Sequence, residues 1–118
     1  MKTPTETFEA FDVVVVPFPF TDKAATKRRP ALVLSAPAFN VPAGHSVLAM
    51  ITSAENVAWP LDTPIKDLNE AGLTSASIVR MKLFTLDEQL FLRKAGHLHK
   101  ADQKAVRLSL AKLFASVL

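Results

Sequence analysis

The run Asp12-Val-Val-Val-Val16, closed by Pro17, decides the fold. Four consecutive β-branched residues leave no polar face, so the spacing predicts a strand buried on both sides. A second such run, Ala31-Leu-Val-Leu-Ser35, follows Pro30, and proline is tolerated as the first residue of a strand. A third covers Ser46 to Thr52, after the turn signal Pro42-Ala-Gly44. A fourth, weaker segment around Trp59 to Ile65 is interrupted by Pro60 and Pro64. A fifth, Ala76 to Lys82, follows the turn Asn69-Glu-Ala-Gly72. Short strands at close intervals with proline-marked turns point to a small β-barrel.

The last third changes period. Asp87 to Arg93 reads as a short helix stopped by Gly96. From Ala101 onward there is neither Gly nor Pro, and Val106, Leu110, Leu113, Phe114 and Val117 recur at helical spacing. The expected architecture is therefore mainly β, a small barrel with a C-terminal α-helix over residues 101–117 laid against it. Residues 1–10 form an N-terminal arm, and the 118 residues make one domain.

Composition narrows the chemistry. The chain has no cysteine, which removes disulfides, thiol nucleophiles and Cys-ligated zinc. Its three histidines, His45, His97 and His99, are too scattered to suggest a metal site, and no cofactor or metal is expected. The longest apolar run, Val13 to Phe20, is far short of a membrane span and holds two prolines. Glu6, Glu9 and Asp12 precede it, which is wrong for a signal peptide, so a cytoplasmic protein is expected. The net charge is +3, unevenly placed: residues 1–79 carry six bases and eight acids, residues 80–118 eight bases and three acids.

Within the first part, Lys27-Arg28-Arg29, with Lys23 nearby, forms a dense basic loop between two buried strands. Pro30 restricts Arg29 to extended geometry, so its guanidinium is held at a strand edge, where it can grip a phosphate at two points. The alternative is a solvated basic turn. Thr52-Ser53 supply hydroxyls at the end of the third strand, and Ser75 and Ser77 stand before or at the start of the fifth; such hydroxyls ordinarily cap backbone. Arg80 and Lys82, two apart on the fifth strand, are expected on one face, meeting an anion or protecting an edge. Trp59 reads as a core or dimer contact, with stacking on a base or an antagonist peptide as the alternative. His97 and His99 read as surface residues, and no acid pair resembles a catalytic dyad.

Four segments in order carry a resemblance: Asp12-Val-Val-Val-Val-Pro-Phe-Pro-Phe-Thr-Asp22, Arg29-Pro-Ala-Leu-Val-Leu-Ser35, Ile51-Thr52-Ser53 and Ser77-Ile-Val-Arg-Met-Lys-Leu-Phe-Thr-Leu-Asp87. Together they resemble the MazF/PemK toxins of type II toxin–antitoxin modules, over roughly residues 11 to 117. The resemblance implies an SH3-like barrel with a C-terminal helix, a homodimer, and metal-free endoribonuclease activity on single-stranded RNA. It also implies a cognate antitoxin as inhibitor, with operator DNA reached only through that antitoxin, and no membrane partner. The family's catalytic arginine falls on Arg29 and its catalytic threonine on Thr52. The RNA-contacting set under this reading is Thr21, Lys23, Lys27, Arg28, Ser53, Ser77, Arg80 and Lys82. Two positions depart from the family: its usual Gly-Asp is Phe11-Asp12 here, and a common glutamine is Lys82. The rival readings are a non-catalytic protein- or nucleic-acid-binding module of the same fold, and a related toxin that poisons a topoisomerase.

Overall fold

The computed structural model describes residues 6–18 and 27–118. Six strands form one antiparallel, curled sheet in the order β4-β5-β3-β2-β1-β6. They are β1 (Asp12–Phe18), β2 (Lys27–Val33), β3 (His45–Ser53), β4 (Thr63–Pro64), β5 (Ser77–Asp87) and β6 (Arg93–His97). Two short helices, α1 (Pro37–Ala43) and α2 (Leu68–Ala71), and one long one, α3 (Lys100–Leu113), complete the chain. This is the expected mainly β architecture with a C-terminal helix, the small barrel being one sheet curled into a half-barrel.

The valine run behaves as its composition demands. Val13 packs with Leu32, Ala49, Ile51, Val79, Leu98 and Val106 on one side of the sheet. Val14 and Val16 pack with Ala31, Val33, Leu48, Leu86 and Phe91 on the other. Both faces of β1, and of β2 over Ala31–Val33, are thus largely buried within a single chain, and a second copy is not needed to cover them. The exposed large apolar residues lie elsewhere, on Leu108, Leu113, Phe114, Val117 and Leu118 of the C-terminal segment and on Phe39, Val41, Val57 and Trp59.

Several expected boundaries move. β1 runs through Pro17 to Phe18, and β2 begins at Lys27, so Pro30 sits inside β2. The proline is accommodated because β3 pairs with β2 only at Ala31–Val33, leaving Pro30 with β1 as its sole neighbour. The segment read as a turn at residues 42–44 is the end of α1, entered by Pro37 at its first turn. The turn at Asn69–Gly72 is α2, capped by the Asp67 carboxylate accepting from the Glu70 N–H at 3.0 Å. β4 shrinks to two residues.

The expected helix over 87–93 is one 3-10 turn, Glu88–Leu90, followed by β6. Asp87 caps only that turn; Phe91 then buries against Phe8 at 4.8 Å between ring centroids, and Leu92 N–H bonds Val15 O. The free edge of β1 recruits Arg93–His97, although that segment has little strand propensity of its own. Phe8 also shows that the arm expected over residues 1–10 contributes to the core from its eighth residue.

The curl is bridged by α2. A Cβ added at Gly72 would lie 2.1 Å from the Ala95 carbonyl oxygen, and one at Gly96 would lie 2.4 Å from the Glu70 carbonyl oxygen. Only glycine permits this approach of α2 to β6. Asp102 on α3, 2% exposed, accepts from the backbone N–H groups of Lys66 and Asp67 and pins α2's leading segment to α3. α3 stops at Leu113, short of the expected residue 117, since the last turn has little to pack on: Val117 is 76% and Leu118 92% exposed.

Phe11, at the family's glycine position, keeps a glycine-like φ of 74°. A left-handed non-glycine residue costs about 1–2 kcal/mol. Burial of the ring, 7% exposed with Arg107 stacked at 4.7 Å, offsets this, since a buried Phe contributes about 1.5–3 kcal/mol.

Candidate nucleic-acid interface

At the end of the sheet where β2 begins and β3 ends, the two principal candidates share one face. Ala31 pairs with Met50, and Arg29 and Thr52 each lie two residues beyond that pair. The alternation of strand side chains therefore points both to the side occupied by Ala31 and Val16. The Arg29 guanidinium carbon stands 5.2 Å from the Phe18 ring centroid. Thr52 is half-buried opposite Ile78, and its Oγ1 accepts from Asn56 Nδ2 at 2.5 Å. A hydroxyl that accepts from an amide keeps its own hydrogen for another acceptor.

Beside them is a pocket of about 360 Å³ lined by Arg28, Arg29, Pro30, Val15, Gly72–Ser75, Ser77, Arg93 and Ala95. Its lining includes three arginine residues and the hydroxyl residues Thr74, Ser75 and Ser77, with no carboxylate. Neither Arg28 nor Arg93 forms an ion pair with any described residue. Strand alternation places Arg28 with Pro30 and Val15 on the sheet face opposite the Arg29 side chain, so Arg28 and Arg93 are the charges brought together on this side, and a basic concavity attracts an anion. Arg93 was missed by sequence reasoning. The cross-strand register delivers it: β1 places Val15 opposite both Arg93 and Pro30.

The other expected contacts divide. Ser53 accepts from the Glu55 N–H at 3.2 Å, and Ser77 donates to Ser75 O at 2.8 Å, so both cap backbone while standing directly opposite each other. Lys27 is exposed at the start of β2. Thr21 and Lys23 lie outside the described residues. Arg80 and Lys82 do not form a joint basic stripe. β3 pairs Met50 with Arg80 and Ala49 with Leu83, which leaves Met81 and Lys82 in an irregularity with Lys82 exposed.

Arg80 instead grips Asp62 twice, Nε to Oδ1 at 3.2 Å and Nη2 to Oδ2 at 3.0 Å, and donates to Val57 O at 2.7 Å. Its guanidinium lies 4.8 Å from the Trp59 ring centroid. Trp59 is thus 44% exposed and stacked on an arginine, outside the core. Burial pushes the Asp62 carboxyl up, but the bonds from Arg80 and the Trp59 N–H, with the Arg80 charge, pull it further down, to a net position below 3.8.

Histidines stand apart from this end. His97, half-buried, bonds the Asp12 carboxylate at 2.8 Å, and His99 reaches Glu70 at 3.4 Å and Asp67 at 3.8 Å. Asp67, Glu70 and His99 are the one group among the described residues whose ligand atoms cluster as a metal would need, within 4.8 Å. Their mutual pairing and the α2 cap account for them.

The fold recurs in known structures. The MazE–MazF complex from Deinococcus radiodurans superposes with a TM-score of 0.74 at 23% identity, over 93% of this chain and 98% of that one. MazF alone from the same organism gives 0.71 at 23% identity, over 93% and 98%. An endoribonuclease in complex with its cognate antitoxin, from a mycobacterial species, gives 0.73 at 14% identity, over 94% and 96%. No curated protein matches the chain by sequence. Residues 9–114 do match the PemK-like, MazF-like toxins of type II toxin–antitoxin systems, and with nearly the whole length covered the chain belongs to that family.

Proposed function

We propose that the chain is a toxin endoribonuclease that cuts single-stranded RNA without a metal and is silenced by a cognate antitoxin. The observation that carries this is Arg29 and Thr52 sharing one face at the end of the sheet, with Arg28 and Arg93 lining a basic pocket at the same end of the strands. Family membership and the antitoxin-bound neighbours support the same reading.

The reaction needs no protein nucleophile. The RNA 2′-oxygen bonds to the adjacent phosphorus, the P–O5′ bond breaks, and a 2′,3′-cyclic phosphate and a 5′-hydroxyl result. The phosphorane between these states carries extra negative charge. Arg29 stabilises it and donates toward the departing 5′-oxygen, while the Thr52 hydroxyl, oriented by Asn56, holds a phosphate oxygen. Arg29 is not the base that takes the 2′-proton, because a guanidinium stays protonated in proteins and has no lone pair to accept with. That role is left to a group outside this pair.

The toxin acts as a homodimer in the cytoplasm and meets operator DNA only through its antitoxin. The apolar strip ending α3 supplies the surface a dimer would seal: Leu110, Ala111 and Phe114 line a groove of about 480 Å³ with Leu34, Val47 and Leu83. No described helix is long and apolar enough to cross a membrane.

The test is incubation of the purified chain with mixed-sequence RNA in EDTA. Fragments ending in cyclic phosphate are expected. Activity that needs magnesium would overturn the mechanism. Intact RNA alongside trapped topoisomerase–DNA complexes would overturn the enzyme assignment.

A further inference from the structure

Trp59 is held where a tryptophan gains least from burial. It is the only Trp of the chain, 44% exposed, in the loop between β3 and β4. Asp62 fastens it from two directions: Oδ2 accepts from the Trp59 N–H at 2.8 Å, and both carboxylate oxygens hold Arg80, which backs one face of the indole. The Arg80 and Asp62 side chains are each only 11% exposed. Between Trp59 and Asp62 the chain turns through Leu61 at φ 66°, a conformation that costs stability in a residue with a side chain. Partly buried charge and a strained turn are together used to fix an aromatic ring at the surface.

The position matters as much as the exposure. Thr52 stands opposite Ile78 and Met50 opposite Arg80, so Arg80 is the diagonal neighbour of Thr52, about 7–8 Å away in such a ladder. Asn56, in the same loop as Trp59, bonds the Thr52 hydroxyl itself. The indole is therefore one side chain removed from the group assigned to the scissile phosphate. Single-stranded RNA presents unstacked bases, and a fixed aromatic face is what they stack on.

We propose that Trp59 is a stacking platform for a base flanking the cleaved phosphate, with Arg80 and Asp62 as its positioning residues. The proposal rests on the endoribonuclease reading and adds to it a site of base contact. Arg80 then serves RNA through Trp59 and not by its own charge, which Asp62 already balances.

The chain has no tyrosine, so its tryptophan fluorescence reports Trp59 alone. The full chain is titrated with a 2′-O-methyl RNA, which lacks the attacking hydroxyl and stays intact. Quenching is expected, and an abasic residue at one position of the strand should abolish it while every phosphate remains. Trp59→Ala should weaken RNA binding on the order of 10-fold, with Trp59→Phe recovering most of the loss. Asp62→Asn should raise KM more than it lowers kcat and shift the emission to the red. Circular dichroism of each variant confirms the fold. Trp59→Ala with parental affinity and cleavage-site preference would overturn the platform, as would quenching indifferent to every abasic position. Quenching by an antitoxin peptide but not by RNA would overturn it in favour of a protein contact. If the parent neither binds nor cuts RNA, both readings fall; if the parent cuts while Trp59 stays silent, the platform falls alone.

Discussion

Two groups of arginine sit at the same end of the barrel in opposite electrostatic conditions. Arg28, Arg29 and Arg93 face a pocket with no acid in its lining. Arg80, a short distance across the sheet, is held by two bonds to Asp62, capped by Val57 O and covered by Trp59. Arg28 and Arg93 form no ion pair with any described residue, whereas Arg80 has used its charge to build a rigid loop. Charge counted along the sequence treats all four alike. What separates them is the partner each finds in space: Arg80 is committed to Asp62, and under the proposed function the first group is the one that meets phosphate.

Arg29→Ala breaks the comparison most sharply. Loss of one donor that acts chiefly on the transition state costs about 3–4 kcal/mol, or roughly 10²–10³ in single-turnover cleavage. Arg29→Lys should rescue poorly, because an ammonium lacks the planar two-point grip. RNA affinity should fall far less than rate, since Arg28 and Arg93 remain in the pocket. Parental cleavage by Arg29→Ala would return Arg29 to the status of a solvated charge.

Asp62→Asn tests the other group, and there the loss should be in stability. A partly buried arginine left without its carboxylate costs about 1–3 kcal/mol, read as a lower denaturation midpoint. The pH dependence has a definite sign. Because the Asp62 carboxyl is held below 3.8 in the folded chain, its contribution is fully present above that value and is lost as pH falls through the lower folded one. The parent's tryptophan emission should stay constant down to about pH 4 and change below it, while Asp62→Asn lacks that step.

How far the sequence alone reached follows the same division. β1, β2 and β3 were legible because their apolar, β-branched runs leave one way to be buried. β6 was not, because Arg93–His97 has no apolar period and becomes a strand only through the free edge of β1. α1 was hidden by Pro37 and Pro42, which mark turns in sequence yet fit a short helix, and buried Asn40 ties it down by donating to Phe8 O and Ser35 O. Arg29 and Thr52 were picked out through the motifs around them, and the register sets them on one face. Arg93 and Asp62 were not, since one reaches the site across three strands and the other meets Arg80 from 18 residues away. Phe11 carries the reason for the family's glycine in its positive φ, which no residue count reveals.

Arg93→Ala has the smallest expected effect, and it bears directly on the claim that charge in the first group is free. With no ion pair to a described residue and an exposed side chain, Arg93 should cost less than about 0.5 kcal/mol of stability when removed, unlike Asp62. Its contribution should appear only in the presence of RNA, and as a change in salt dependence. Each phosphate neutralised on a single strand contributes about 0.7 to the slope of log affinity against log salt, through counterion release. Measured between low and physiological salt, the Arg93→Ala slope should be shallower than the parent's by about that amount, whatever the RNA sequence. The two affinities should converge as salt rises. Asp62→Asn provides the contrast, since its weakening comes through base stacking and should leave the slope nearly unchanged. An unaltered slope in Arg93→Ala would mean that its guanidinium meets no phosphate.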